Sequence, residues 1–327
     1  MKKISIILGG AAVIILTLIG VFILKSGNNS SKTSDVSVRL KWLDQAQFAG
    51  FYTANSKGYY EAKNLKVKLD PGGPDISPTQ MVLSGTNDFG VIGADQLVLA
   101  REKGAPLVAL AVIYQKTPVA LASLKESNIT SPKDLEGKKT AIVYGKDEEV
   151  VYRALLQKEN VNRSKIQETP LTFDLGQLTS KKVDAIIVYE TNEPTLLAQQ
   201  GVYVSLIKPR DYGINYYADT LFTTEKMIKE KPEVVKAFVA ATMSGWQSAF
   251  QDKNSATNDV LAINITLNRE HQQQLIELSE ALIKRADGRI GYSDYSEWVK
   301  LQNILIEQGI QKKRIDIDRL FTNKYLQ

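Results

Sequence analysis

Residues 36–69 read VSVRLKWLDQAQFAGFYTANSKGYYEAKNLKVKL and carry the pattern that decides the fold. Apolar and polar residues alternate over 36–42, which is typical of a β-strand. Aromatic residues then recur at helical spacing over 48–55, up to Gly58, and alternation returns over 65–69. The stretch therefore predicts a strand, a helix and a second strand in succession.

The same succession continues along the chain. Further strands are predicted at 88–92, 107–113, 139–144, 183–189 and 203–207, and further helices at 77–83, 95–103, 148–159 and 194–200. Beyond Asp219 helical spacing dominates and places Trp246 and Trp298 in the core. Strands that alternate with helices indicate an α/β fold with mostly parallel sheets. About 290 residues follow position 35, enough for two lobes.

Composition excludes several classes of function. The formal net charge is +5, and the first 35 residues supply +3 of it, because they hold four lysines against one aspartate. The remaining basic residues are interspersed with acids, so we expect no nucleic-acid binding. The chain has no cysteine, and its single histidine, His271, cannot form a zinc cluster alone. We expect no metal and no cofactor, and we expect His271 to lie on the surface at a helix start.

Residues 1–25 predict a membrane anchor. From Ile4 to Leu24 the sequence has no charged residue, and about 20 apolar residues suffice to cross a bilayer. Lys2 and Lys3 precede this run and indicate that the N-terminus stays inside the cell. A cleaved signal peptide with secretion of the rest is the alternative. Residues 26–35 indicate a flexible tether, so that the folded part lies outside the cytoplasm at the plasma membrane.

Several motifs resemble one known group of proteins. They are WLDQAQFAGFY at 42–52 with KGYY at 57–60, SGTNDFGV at 84–91 with GAD at 93–95, YQ at 114–115, SPKDLEGK at 131–138, VDA at 183–185, YETNEP at 189–194, DYG at 211–213 and LFTTE at 221–225. The group comprises the ABC-importer binding proteins for thiamine-pyrimidine precursors, riboflavin, sulfonates and nitrate, together with the related thiamine pyrimidine synthases. The resemblance covers roughly residues 36–250.

The resemblance implies the type 2 periplasmic-binding-protein fold, in which two α/β lobes joined by two crossing strands close over a ligand. Lobe 1 would comprise 36–120 and 216–327, and lobe 2 would comprise 121–215. It also implies a small-molecule ligand, ABC permease and ATPase subunits as partners, and a monomer.

Candidate ligand-binding residues follow from these motifs and from the rule that ligands bind beyond the carboxyl ends of parallel strands. They are Trp42, Asp44, Phe48, Asp95, Tyr114, Tyr144, Gly145, Tyr189, Glu190, Asn192, Glu193 and Tyr212. Structural roles stay open for some of them: Trp42 and Phe48 as core residues, and Asp95 and Glu193 as residues that start helices. We predict no catalytic residue.

The candidate residues are mainly aromatic, acidic or amide-bearing, and no arginine is among them. Aromatic rings can stack on a planar ligand, and carboxylate and amide oxygens accept hydrogen bonds from ring N–H groups. Sulfonate or nitrate would instead require donors and positive charge. The pattern therefore favours a neutral or cationic heteroaromatic ligand, with a pyrimidine precursor of thiamine as first choice and riboflavin as second.

Three other functions compete with an importer binding protein. A thiamine pyrimidine synthase is disfavoured. The resemblance implies that its chemistry uses a cysteine-rich iron motif and an active-site histidine, whereas this chain has no cysteine and its one histidine, His271, lies in a different region. A binding protein for sulfonate or nitrate is disfavoured by the lining predicted above. A membrane-bound sensor is disfavoured because only Met1, Lys2 and Lys3 would lie on the inner side of the anchor.

Overall fold

The computed structural model describes residues 33–326. The predicted anchor at 1–25 lies outside the described residues, as does most of the predicted tether, and the first strand begins at Ser34. Within residues 33–326 we find no helix of the length and apolar character needed to span a bilayer.

The chain alternates strands with helices, as the sequence pattern predicts. The strands are β1 Ser34–Arg39, β2 Leu65–Asp70, β3 Phe89–Gly93, β4 Leu107–Val112, β5 Val119–Leu124, β6 Lys139–Ile142, β7 Gln167–Pro170, β8 Ala185–Tyr189, β9 Val204–Ile207 and β10 Asp219–Thr224. The helices are α1 Ala49–Ser56, α2 Pro78–Leu83, α3 Ala94–Glu102, α4 Asp147–Lys158, α5 Gly176–Thr179, α6 Glu193–Gln199, α7 Glu225–Glu230, α8 Pro232–Gln251, α9 Lys253–Ile263, α10 Arg269–Ile283 and α11 Tyr295–Glu307.

Within residues 33–326 these strands form two five-stranded sheets. Their orders are β2-β1-β3-β10-β4 and β7-β6-β8-β5-β9. We call each sheet with the helices that pack on it a lobe, the first sheet giving lobe 1 and the second lobe 2. The chain passes from lobe 1 to lobe 2 between β4 and β5, and it returns between β9 and β10.

The sheets are mixed, which corrects the prediction of mostly parallel sheets. β1 pairs in parallel with β2 and β3, whereas β10 is antiparallel to both of its neighbours. In the second sheet β6 is parallel to β7 and β8, whereas β5 is antiparallel to both of its neighbours. The exceptions, β10 and β5, are the strands by which the chain enters each lobe from the other. Each runs opposite to the other four strands of its sheet, because it starts on the side of the sheet where those four strands have their carboxyl ends.

Lobe 1 is held together by close packing of α1 against α8. A Cβ atom added to Gly245 of α8 would lie 2.1 Å from the carbonyl oxygen of Gly50 in α1, so the helices can approach this closely only with glycine. Trp246 is buried beside this contact and meets Phe51 edge to face at 6.4 Å between ring centroids. Trp298 is also fully buried, as the helical spacing predicts. This packing fixes the segment between β1 and α1, which carries much of the candidate site.

Candidate ligand-binding site

A cleft lies between the two sheets, where β1 and β8 end. It has about 460 Å³ of empty volume, part of it open to solvent. Lobe 1 contributes residues from the segment after β1, and lobe 2 contributes residues around β6, β7 and β8. The lining residues are Lys41, Trp42, Gln45, Gln47, Val143, Glu148, Leu171, Phe173, Ile187, Val188, Tyr189, Asn192 and Glu193.

Lys41 joins the two lobes inside this cleft. Its Nζ atom lies 2.9 Å from Asp147 Oδ2 and 2.5 Å from the Tyr189 hydroxyl, both in lobe 2. In lobe 1 the same Nζ lies 3.1 Å from Asp219 Oδ1, and Gln47 donates to the other oxygen of Asp219 at 2.6 Å. One buried ammonium group therefore satisfies carboxylates of both lobes, and this contact requires the lobes to be close together.

Burial and ion pairing act against each other in this cluster. Burial alone would lower the pKa of Lys41, but Asp147 and Asp219 raise it well above its usual value. Burial likewise opposes ionisation of Asp147, but Lys41 holds its pKa below the usual range. Burial raises the pKa of Asp219 in spite of Lys41. Lys41 is therefore a charged group whose charge is already balanced by carboxylates.

Two more acids extend the cluster. Burial, with the nearby charge of Asp147, raises the pKa of Glu148 well above its usual value. The same two causes raise the pKa of Asp95 to about 7. One oxygen each of Asp95, Asp147 and Glu148 is buried without a hydrogen-bond partner among residues 33–326. Of these three residues, Glu148 lines the cleft, so its unpaired oxygen could accept a hydrogen bond from a ligand's N–H or ammonium group.

Aromatic side chains from both lobes form one wall of the cleft. The rings of Trp42, in lobe 1, and Phe173, in lobe 2, lie 4.9 Å apart between centroids at 52°. The Nζ atom of Lys146 lies 5.2 Å from the Trp42 ring centroid. Phe173 is 45% exposed, so it lies at the solvent edge of this wall. The two rings contact each other and form an aromatic surface on which a flat ring could stack.

The turn from β8 into α6 forms the polar wall. Glu193 Oε2 accepts a hydrogen bond from the backbone N–H of Tyr189 at 2.8 Å, and Glu193 Oε1 accepts one from Asn192 Nδ2 at 2.8 Å. Burial raises the pKa of Glu193. Asn192 Oδ1 lies 2.9 Å from Nε2 of His271, which belongs to α10 in lobe 1. The expectation that His271 lies on the surface is wrong, because lobe 2 covers it and leaves it 4% exposed.

Comparison with known proteins identifies the family. The family described as "NMT1/THI5 like" matches residues 45–256, about two thirds of the chain. The chain belongs to this family. The resemblance read from the sequence motifs is thereby confirmed. The family's match includes Gln45, Gln47 and the β8-to-α6 turn of the cleft lining, whereas Lys41 and Trp42 lie before its first residue.

Curated relatives in this family include binding proteins and enzymes. The riboflavin-binding protein RibY of Chloroflexus aurantiacus is 25% identical over 311 residues, covering 91% of this chain and 88% of that protein. The formylaminopyrimidine-binding protein of Halalkalibacterium halodurans is 24% identical over 297 residues, covering 87% and 90%. The 4-amino-5-hydroxymethyl-2-methylpyrimidine phosphate synthase of Legionella pneumophila is 22% identical over 302 residues, covering 91% and 94%.

Among solved structures, the periplasmic aliphatic sulphonate-binding protein SsuA of Escherichia coli superimposes with a TM-score of 0.71 at 17% identity, covering 90% of this chain and 99% of that one. This likeness shows the fold alone. This NMT1/THI5-like chain therefore has the periplasmic-binding-protein fold, with two mixed sheets.

The structure brings some of the predicted site residues to the cleft. Four of them line it: Trp42, Tyr189, Asn192 and Glu193. Gly145 lines an adjoining chamber with about 800 Å³ of empty volume, part of it open to solvent, that shares Lys41, Trp42 and Glu148 with the cleft. Ligand contact by any of these residues stays a prediction.

The other predicted residues lie away from the walls of both spaces. Phe48 is buried in the core, and the buried Tyr114 hydroxyl lies 2.8 Å from Ser279 Oγ. Asp44 accepts a hydrogen bond from Tyr52, and Glu190 is paired with Arg210 and Lys208. Tyr144 is 46% exposed, and Tyr212 is partly buried against the hydrophobic core. Asp95 is fully buried beside the Lys41 cluster and caps no helix, because Gly93 occupies the N-cap position of α3.

Sequence reasoning missed several residues of the cleft. Lys41 precedes Trp42 at the end of β1, and Asp147 and Glu148 begin the helix after β6, so the strand-end rule could have selected all three. Phe173 follows β7, a strand that the sequence pattern did not reveal. Asp219 opens a crossing strand, and that strand starts at the cleft, where the other strands of its sheet end.

Proposed function

We propose that this chain is the extracytoplasmic solute-binding protein of an ABC importer and that it captures a small flat heteroaromatic ligand between its lobes. The observation that best supports this proposal is the cleft itself, where aromatic rings and acceptor oxygens from both lobes surround one space. Lys41 makes contacts across that space, which supports closure of the lobes around a ligand. The ligand-binding proteins among the relatives support the same class of function.

The charge balance of the cleft supports a neutral or cationic ligand. Among the described residues that line the cleft, the lysine is Lys41, which is engaged by Asp147 and Asp219 and so offers little charge to an anion. Lys146, beside the Trp42 ring, lines the adjoining chamber instead. Glu148 and Glu193 contribute acceptor oxygens to the lining. An aminopyrimidine would place its ring against Trp42 and direct its N–H groups to these oxygens. A thiamine-pyrimidine precursor is our first choice, and riboflavin is the second.

We propose that the lobes that close are lobe 1, predicted as 36–120 and 216–327, and lobe 2, predicted as 121–215, with the difference that β5 places Val119 and Ala120 in lobe 2. The importer's permease and ATPase subunits would be the partners, and the chain would act as a monomer. We propose that residues 1–25 anchor it at the plasma membrane, with the folded part outside. Proteolysis of intact cells by an added protease should then remove the folded part, and its protection inside the cells would contradict this location.

We propose binding rather than catalysis, although the family contains pyrimidine phosphate synthases. The chain has no cysteine to provide an iron-binding motif, and both ring nitrogens of its one histidine lie within hydrogen-bonding distance of lobe 2 residues. Incubation of the purified chain with iron should therefore give no pyrimidine product. Product that accumulates with iron would identify an enzyme instead.

Calorimetric titration tests the ligand proposal. The purified chain is titrated separately with 4-amino-5-hydroxymethyl-2-methylpyrimidine, riboflavin and an alkanesulfonate. We expect saturable one-to-one binding of at least one ring compound and no heat from the sulfonate. Tight binding of the sulfonate with no response to either ring would refute the proposal.

A further inference from the structure

The only histidine of the chain links the two lobes at the polar wall of the cleft. His271 is the third residue of α10 in lobe 1, and its Nε2 and Nδ1 atoms lie 2.9 Å from Asn192 Oδ1 and 2.7 Å from Thr195 Oγ1 in lobe 2. The residue is 4% exposed. Both nitrogens of one buried imidazole are therefore within hydrogen-bonding distance of side chains at the start of α6.

The hydrogen bonds around Asn192 determine which nitrogen of His271 carries the proton. Asn192 Nδ2 donates to Glu193 Oε1 at 2.8 Å, so Asn192 Oδ1 faces the histidine as an acceptor. The facing Nε2 atom must then be the donor. In the neutral ring Nδ1 accepts, so the single hydroxyl proton of Thr195, whose Oγ1 lies 2.7 Å from both Nδ1 and the Asn192 backbone carbonyl oxygen, is directed to Nδ1. The carbonyl oxygen still accepts from the backbone N–H groups of Thr195 and Leu196. Burial lowers the pKa of His271, which agrees with a neutral ring.

This arrangement also fixes the orientation of the ligand-facing groups. An amide group can flip unless its two ends face different partners. Glu193 faces the nitrogen of the Asn192 amide and His271 faces its oxygen, so the two together hold one orientation. Glu193 is in turn held by Asn192 and by the backbone of Tyr189. All three of these lobe 2 residues line the cleft.

We propose that His271 is a positioning residue which, from the opposite lobe, holds Asn192 and Glu193 in the orientation that binds ligand. The inference rests on the proposed function for its effect on affinity, but the hydrogen-bond pattern itself does not. The contact spans the lobes, so it forms when the cleft closes. Closure and correct orientation of the polar wall thus occur together.

Substitutions that keep or remove the Nε2 donor test the positioning role. His271→Gln can place an amide N–H near the position of Nε2, whereas His271→Asn is too short and His271→Ala has no donor. With 4-amino-5-hydroxymethyl-2-methylpyrimidine and riboflavin as probes, we expect affinity in the Gln variant within about threefold of wild type. The Asn and Ala variants should lose about tenfold, the effect of one hydrogen bond whose loss leaves a buried acceptor unpaired. Gln273→Ala, on the same helix, is the control and should bind as wild type does.

Nuclear magnetic resonance gives a readout that does not depend on ligand. In the full-length chain, purified through a histidine-free tag, labelled histidine gives the two ring nitrogens of His271 alone. We expect the neutral form protonated at Nε2, and a shift of the Asn192 side-chain amide signal in His271→Ala that His271→Gln reverses. That amide signal is identified by its loss in Asn192→Ala.

The outcomes separate the two proposals. Ring compounds that fail to bind would refute the proposed function, and the resonance data would still decide the role of His271. Protonation at Nδ1, or an Asn192 amide signal that is unchanged in His271→Ala, would overturn the positioning role. Equal affinities for the Gln and Ala variants would also overturn it, even if ligand binds.

Discussion

Removal of the Lys41 charge should destabilise the closed protein by a measurable amount. In Lys41→Met a side chain of similar length leaves Asp147 and Asp219 without their shared cation, which lies 2.9 and 3.1 Å from them. At about 3 Å and an effective dielectric constant of about 20, each pair is worth about 5 kcal/mol before desolvation. Since desolvation offsets much of this, we expect a net loss of about 3–5 kcal/mol. For a folded part of about 290 residues that is a decrease in melting temperature of roughly 5–8 °C.

The same substitution should favour separation of the lobes. Asp147 belongs to lobe 2, so opening would return its carboxylate to water, and small-angle X-ray scattering should show a larger radius of gyration than for wild type. Calorimetry measures the melting temperature of both proteins at neutral pH. Lys68→Met is the control, because Lys68 is 77% exposed and pairs with Asp70 at the surface. Adding Asp147→Asn and Asp219→Asn to Lys41→Met should recover much of the loss. If Lys41→Met matches Lys68→Met in both measurements, the interpretation of Lys41 as an interlobe bridge is refuted.

Three further predictions concern the cleft wall, the helix contact and the buried acid. Trp42→Ala should weaken binding of the ring probes about five- to tenfold, because it removes a stacking face worth about 0.5–1.5 kcal/mol beyond burial; calorimetric titration measures it. Gly245→Ala should lower the free energy of unfolding by about 1–3 kcal/mol in urea, because the new Cβ would lie 2.1 Å from the Gly50 carbonyl oxygen. Asp95→Asn should stabilise the protein at pH 8 but not at pH 4. The pKa of Asp95 is raised from 3.8 to about 7, so the stability from its protonated form is fully present below about pH 4 and is lost as the pH rises through about 7.

Each of these predictions has a result that would contradict it. Unchanged affinity in Trp42→Ala would show that the indole does not contact the ligand. A urea midpoint in Gly245→Ala equal to that of Ser244→Ala, an exposed neighbour on α8, would show that the helices can separate at little cost. A stability difference between Asp95→Asn and wild type that is the same at pH 4 and pH 8 would mean that Asp95 does not titrate as its burial implies.

The positions of most strands and helices could be predicted from periodicity, because one face of each packs on a core. The predicted strands at 65–69, 88–92 and 107–113 correspond to β2, β3 and β4 within one residue at each end. β7, Gln167–Pro170, was missed because it is a polar strand at the edge of its sheet, where few side chains are buried. Strand direction was also missed, since alternation is the same whichever way a strand runs.

The candidate site could be predicted only in part. Trp42 and the 189–193 turn follow strands whose carboxyl ends face the cleft, so the strand-end rule found them. Lys41 and Asp147 are 106 residues apart, and nothing in either local pattern indicates that they pair. The environment of His271 was missed for the same reason: a polar residue at a helix start looks exposed until a distant lobe covers it.

A crystal structure of the chain with its tightest-binding ring compound would test the central claim most directly. We expect the ring to lie face against the Trp42 indole at about 3.5–4 Å, with its N–H groups donating to oxygens of the acidic and amide side chains in the cleft and Lys41 still joining the lobes. A ligand bound outside this cleft, or one whose ring faces neither Trp42 nor Phe173, would contradict the account.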